Sequence, residues 1–245
     1  MRPDYTEKSE TFDHYRSFSK AVLEKYIGNF EDLASLRGGE RILDAGAGTG
    51  RFAIPLSKKY RVVALDCSIE MIQKGFAKSR KVRWVSGDIT RTPFKQKHFD
   101  CTLLAYVIHQ TPDFNAVIEE MARLSPKCII ITTDMYRCLP SLIGKAFPGI
   151  IEIDSERFPL IEDLEGAFIL TGFERVRARR ILLEETLTKE RFMAKIKHKY
   201  ISTFDLISEA EFDDGLAKME KLLADIPGDT INNRVQATFV SASRR

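Results

Sequence analysis

Three aspartates and three glycines are the residues of this chain whose spacing could do chemistry. Asp44, Asp66 and Asp88 each follow a short apolar run, and RILDAGAGTGRF (41–52) places Gly46, Gly48 and Gly50 in alternation directly after the first of them. Glycines in a turn that leaves a buried strand let the backbone take φ > 0 and let a ligand approach the main chain with no Cβ in the way. The residues after the turn, through Lys59, read as a helix whose first N–H groups could face a carboxylate or phosphate. Asp66 ends the second apolar run, where a carboxylate suits two ribose hydroxyls. A nucleotide-like ligand is the expectation. A dinucleotide fingerprint begun at Gly46 would need glycine where Arg51 stands; the frame Gly48, Gly50, Ala53 does satisfy G-x-G-x-x-A, so a nicotinamide or flavin stays open on spacing alone.

The elements that must position these residues follow from apolar periodicity. Ile42–Leu43, 61–65, 82–85, 99–107 and 127–133 read as buried strands, and 68–78 and 112–124 as helices between them. Ser68 is the N-cap of the first of these helices. Near-continuous apolar strands alternating with helices describe a doubly wound sheet with both faces covered, whose ligands lie beyond the carboxyl ends of the strands. Upstream, 12–30 has helical spacing. Downstream, 135–156 reads as a loop with at most a short helix, 159–170 as a helix stopped by Gly172, and 173–183 as a strand. Two amphipathic helices, 188–201 and 209–226, precede a last strand at 235–241.

Composition is that of an ordinary globular protein: 245 residues, 44% hydrophobic and 30% charged, with a net charge of +3. That charge is too small to argue for a nucleic-acid partner. No apolar run reaches the length of a membrane span, and the polar N-terminus has no signal-peptide core. Cys67, Cys101, Cys128 and Cys138 form no C-x-x-C pair, so the expectation is reduced thiols, no metal and a cytoplasmic location.

The pattern D-x-G-x-G-x-G after a strand resembles the class I S-adenosylmethionine-dependent methyltransferases, in the broad type 11 group. DCSIEM looks like that family's D-x-S-x-x-M segment, and FDHYR like its N-terminal Y-D-x-Y-R segment. The resemblance implies a seven-stranded, mostly parallel Rossmann-like sheet closed by an antiparallel pair, with S-adenosylmethionine as cofactor. It implies cofactor contacts from Asp44, Gly46, Ala47, Gly48, Asp66, Cys67, Met71, Asp88, Ile89 and Ala105, with Tyr15 and Arg16 at the methionine end. Tyr106, His109 and Gln110 would face the methyl group or the acceptor, Tyr106 and His109 as the catalytic pair; an unperturbed imidazole could take a proton at neutral pH.

The chain is accordingly expected to be one methyltransferase domain, with an N-terminal helical cap (1–38) and a helical insertion (184–230) acting as a lid over the acceptor. The expected reaction is methyl transfer to a small molecule such as an organic acid. The alternatives are an RNA methyltransferase and a cofactor-binding protein without catalysis. Arg175, Arg177 and Arg179 share one strand face, as a solvated surface or a seat for an anion.

Overall fold

Side chains on the first strand alternate between two cores. In the computed structural model, which describes residues 9–138 and 140–244, Ile42 packs into one apolar cluster and Leu43 into another on the opposite face. The chain runs α1 (Ser9–Arg16), α2 (Lys20–Leu33), β1 (Arg41–Ala45), α3 (Ala53–Leu56), β2 (Arg61–Asp66), α4 (Ile69–Lys78) and β3 (Arg83–Ser86). There follow β4 (Cys101–Ala105), α5 (Phe114–Leu124), β5 (Lys127–Thr132), α6 (Leu142–Ala146), α7 (Pro148–Arg157) and α8 (Ile161–Leu170). The chain closes with β6 (Arg175–Thr188), α9 (Lys189–Lys197), α10 (Glu209–Ala224) and β7 (Thr230–Ser243). The seven strands form one sheet in the order β3-β2-β1-β4-β5-β7-β6, parallel except for β7, which is antiparallel to both β5 and β6.

One face of the sheet is covered by α2 and α3, through Val22, Tyr26, Phe30 and Leu56. The other is covered by α5 and α8, through Val117, Ile118, Leu164 and Phe168. A third cluster lies apart from both. Phe192, Ile196, Phe204, Phe212, Met219 and Leu223 from the chain between β6 and β7 pack with Ile143, Phe147 and Ile150 of the α6–α7 segment. Each fully buried aromatic ring there contributes about 1.5–3 kcal/mol. The insertion's apolar faces therefore meet α6 and α7 in a core of their own instead of lying directly on the strand ends.

Several boundaries differ from the sequence expectation, for local reasons. The N-terminal helix is two helices, because the Ser19 hydroxyl accepts the Val22 N–H at 3.3 Å and starts α2 afresh. The helix after the glycine turn stops at Leu56, as Lys58 and Lys59 donate to the carbonyls three residues back and tighten the last turn. The 135–156 segment holds two helices; Ser141 caps α6, and Pro148 stands at the first position of α7, where its missing N–H costs nothing. The β6–β7 pair extends to Thr188 and Thr230, so the insertion proper is 189–229. The first eight residues of the expected N-terminal cap lie outside the described residues.

Candidate active site

The end of β1 delivers Asp44 and then the glycine turn. Gly46, Gly48 and Gly50 have φ of 76°, 54° and 90°. A Cβ on Gly46 would sit 2.5 Å from Val107 Cγ2, so packing as well as backbone conformation requires glycine there. Gly48 is different. A Cβ on it would meet nothing within 4 Å, and its open side lines a cavity of about 730 Å³.

The turn's own N–H groups are already engaged. Those of Gly46 and Ala47 donate to the Leu65 carbonyl at 2.8 and 2.9 Å, and that of Gly50 donates to Ala47 at 2.9 Å. The Gly48 N–H donates to Asp66 Oδ2 at 2.7 Å. α3 is only one turn long, and the N–H of Ala53 at its start goes to the Asp44 carboxylate. The expected anion site at a helix N-terminus is not what these residues form, and a pyrophosphate would find no such cradle.

Asp66 is held at both oxygens, Oδ1 accepting the Ser68 N–H at 2.9 Å, and Ser68 in turn caps α4. Burial raises its carboxyl above the ordinary value against the pull of those backbone donors. Asp44 is buried, with Oδ2 free of any hydrogen-bond partner among the described residues; burial raises its carboxyl to about 7. Asp88 Oδ1 accepts from both the N–H and the hydroxyl of Thr90 at 2.8 Å, fixing the turn after β3. Cys67, Met71, Ile89, Ala105 and Arg16 line the same cavity as Asp44, Ala47, Gly48, Asp66 and Asp88. An orphaned buried carboxylate oxygen, an open glycine face and three strand-end carboxylates fit an adenosyl ligand carrying a cationic methionine end. That group would supply an activated methyl on sulfur.

Tyr15 is the expected cofactor residue that does not line the cavity; its ring stacks on His198 with centroids 3.8 Å apart. It thereby ties α1 to the end of α9. Arg16 also reaches that end, donating to the Lys199 carbonyl at 3.4 Å. The glycine turn joins the same assembly: Thr49 donates to Asp13 Oδ1 at 2.5 Å, and Lys78 of α4 pairs with Asp13 at 2.9 Å.

Tyr106 follows β4 with φ of 58°, a strained conformation for a bulky residue that costs about 1–3 kcal/mol and is found where a site requires it. Its hydroxyl shares a 2.5 Å hydrogen bond with that of Tyr26. Burial pushes the Tyr106 phenol to about 12, so it is protonated at neutral pH. His109 occupies a 3₁₀ turn (Ile108–Gln110), its ring stacked on Phe158 at 4.1 Å with Nδ1 buried and unpartnered among the described residues. Burial, reinforced by Arg157 and Arg16, drives it down to about 3. The imidazole is thus neutral at pH 7 and a weak proton acceptor, contrary to the ordinary titration assumed for a base. Its neutral form is favoured on folding, so that stabilising contribution is complete above about 6.5 and is lost as pH falls toward 3. NMR titration is expected to find the His109 ring neutral to below pH 5 in the folded protein, and a ring titrating near 6.5 would contradict this placement.

Several cavity residues carried no signal in the sequence. Arg51 interrupts the dinucleotide frame, yet its guanidinium lies 4.7 Å over the Phe18 ring and lines the cavity, burial lowering it to about 10. Tyr26 registered only as an apolar helix position. Lys195, Tyr200 and Glu185 line the far side, where the insertion meets β6. Other polar groups near the strand ends and on β6 turn away from chemistry. Asp134 pairs with Arg180 at 2.7 Å, Tyr136 is exposed, and Arg179 pairs with Asp32 at 2.6 Å, which ties that strand face to α2. Cys101 and Cys128 are buried, and the described cysteines are free thiols. Among the described residues no helix is long and apolar enough to cross a membrane, and no acidic, histidine or cysteine cluster could hold a metal.

Residues 42–126 match the family model described as "Methyltransferase domain". Demethylmenaquinone methyltransferase of Mycobacterium marinum is 38% identical over 88 residues, which are 36% of this chain and 37% of that protein. Among solved structures, a protein described as a methyltransferase from an antibiotic biosynthesis pathway of Anabaena variabilis superposes with a TM-score of 0.79 at 20% identity, over 94% of this chain and 99% of that one. Phosphoethanolamine N-methyltransferase 2 of Haemonchus contortus, solved with phosphomonomethylethanolamine and S-adenosylhomocysteine, gives 0.63 at 18% identity, over 98% of this chain and 58% of that one. The sheet order and the glycine turn are those of the Rossmann-like methyltransferase fold, and the stretch 42–126 is similar to a methyltransferase domain.

Proposed function

We propose that the chain transfers the methyl group of S-adenosylmethionine to a small molecule enclosed between the carboxyl ends of the strands and the α6–α7 and α9–α10 helices. The observation that carries this reading is the single cavity of about 730 Å³. It runs from Gly48 and Asp66 past Tyr106 to Ile150, Phe158, Lys195 and Tyr200, and is large enough for donor and acceptor side by side. In this reading Asp66 binds the ribose hydroxyls, Asp88 and the Ile89 N–H the adenine, Asp44 the cationic methionine end, and Arg16 its carboxylate. The 189–229 insertion is the lid.

The sulfonium donor already holds an activated methyl, so the protein's work is to align the acceptor and exclude water. With His109 neutral and weakly basic and Tyr106 protonated, the acceptor atom should be nucleophilic without a strong base. Roofing by helices on two sides favours a compact metabolite over a nucleic acid. The quinone chemistry of the M. marinum relative does not transfer with a match to 36% of this chain.

The test is calorimetry with S-adenosylhomocysteine and with NADH, followed by an acceptor screen for S-adenosylhomocysteine release. S-adenosylhomocysteine is expected to bind at least about tenfold tighter than NADH, or about 1.4 kcal/mol, and turnover is expected with a small-molecule acceptor. NADH binding more tightly would overturn the assignment.

A further inference from the structure

Three of the lysines on and just after α9 have found an oxygen. Lys189 donates to the Ile226 carbonyl at 2.6 Å, Lys197 pairs with Glu220 at 3.8 Å and Lys199 with Glu209 at 2.8 Å. Lys195, in the last turn of the same helix, has not. It is 8% exposed, it lines the cavity, and among the described residues neither an ion pair nor a hydrogen bond reaches its ammonium. Its recorded neighbour is the Tyr200 ring, whose centroid lies 5.1 Å from Nζ. Tyr200 lines the cavity too, and its hydroxyl likewise has no hydrogen-bond partner among the described residues. A desolvated ammonium without a partner is costly to keep, and burial pushes it below its ordinary value. The charge of the nearby Glu185 works the other way, while its Oε1 accepts the Ser19 N–H at 2.9 Å and anchors α2.

The wall of the same cavity carries the apolar side chains of Ile143, Ile150, Phe158 and Leu183. Arg16, assigned above to the methionine carboxylate, donates to the neighbouring Lys199 carbonyl, and the Arg51 charge is felt at Lys195. Lys195 and Tyr200 themselves offer one positive charge and one neutral donor. A dianion such as a phosphate monoester would bring a second charge into a wall that already carries Glu185 and Asp154. We propose that Lys195 and the Tyr200 hydroxyl seat a carboxylate of the acceptor, so that this enzyme's substrates are monocarboxylates with an apolar body, anchored by the carboxylate and methylated elsewhere. The inference rests on the methyltransferase reading above for what happens to the bound acid, though not for the binding itself.

The test uses the full chain with saturating S-adenosylhomocysteine and three matched pairs: benzoate with benzamide, 3-phenylpropionate with 3-phenylpropanamide, and octanoate with octanamide. Affinities are read by calorimetry and ligand-observed NMR on the parent, Lys195→Met, Lys195→Arg and Tyr200→Phe. At least one acid is expected to bind about tenfold more tightly than its amide. That preference should fall to within about twofold in Lys195→Met, survive largely in Lys195→Arg, and drop several-fold in Tyr200→Phe. Lys195→Met is expected to melt at or above the parent temperature, because it removes a buried, unpartnered charge; should it fail to fold, Tyr200→Phe decides. No acid preferred over its amide, or a preference undiminished in the variants, overturns the proposal. S-adenosylhomocysteine affinity, measured separately on every form, should stay within about threefold of the parent. Failure of the parent to bind it would sink the methyltransferase reading while leaving the carboxylate comparison intact.

Discussion

Asp66→Ala is expected to weaken S-adenosylhomocysteine about a hundredfold, the largest loss of any single substitution at the cofactor end. Asp66 does two things at once. Its Oδ2 holds the Gly48 N–H at 2.7 Å and its Oδ1 the Ser68 N–H at 2.9 Å, so the carboxylate staples the glycine turn to the start of α4. Asp66 lines the cavity, and a carboxylate oxygen has acceptor capacity beyond one hydrogen bond, to which ribose hydroxyls would donate. Charge-assisted hydrogen bonds of this kind are worth about 1.5–3 kcal/mol, and the upper end applies where a buried N–H is left unpaired as well. Asp66→Asn keeps one acceptor oxygen but points an amide at one of the two N–H groups, and should fall between parent and alanine. Calorimetry with S-adenosylhomocysteine at constant salt measures both. A loss of under fivefold for Asp66→Ala would mean that the ribose is held elsewhere.

Asp66 was also among the most legible residues in the sequence, and the reason is physical. Parallel strands buried on both faces are written as unbroken apolar runs, so β1, β2 and β5 end visibly where an aspartate appears, whereas β4 runs on into Tyr106 and Val107. The residues at those ends are the ones that the sheet presents to a ligand. Serine N-caps made α4 equally readable, and Ser19 would have divided the N-terminal helix had its side chain been weighed against the apolar spacing. The α6–α7 segment was not readable as helix because proline and glycine punctuate it. What the punctuation concealed is that Pro148 starts a helix instead of ending one. Lys195 could not have been found at all. On an amphipathic helix a lysine reads as solvated face, and its burial comes from Tyr200, β6 and the α6–α7 core closing around it. The same holds for His109, whose type and position were visible but whose neutrality comes from Phe158 stacked upon it.

Gly215→Ala should destabilise the protein although it replaces a helix glycine. In an open helix interior that change gains up to about 1 kcal/mol, because alanine loses less backbone freedom on folding. Gly215 is buried in the middle of α10, where that helix passes α6, and a Cβ there would overlap the Phe147 ring. Phe147 cannot simply step aside, since its ring packs edge-on against Phe204 with centroids 5.0 Å apart and lies 5.9 Å from Phe212. Overpacking of this kind costs about 1–3 kcal/mol. For a chain of this size that is a fall of about 3–10 °C in melting temperature. The damage is confined to the core shared by α6, α7, α9 and α10, which touches neither the glycine turn nor Asp66. S-adenosylhomocysteine affinity should therefore stay within about tenfold of the parent while methyl transfer falls further, because the wall that carries Lys195, Ile143 and Ile150 is displaced. Phe147→Leu frees the space that the new Cβ needs, and Gly215→Ala/Phe147→Leu should melt above Gly215→Ala alone, a favourable coupling between two residues in contact. Parent-like melting and parent-like transfer in Gly215→Ala would mean that α10 is not held against α6 as described, and the lid would then have to be sought elsewhere in the chain.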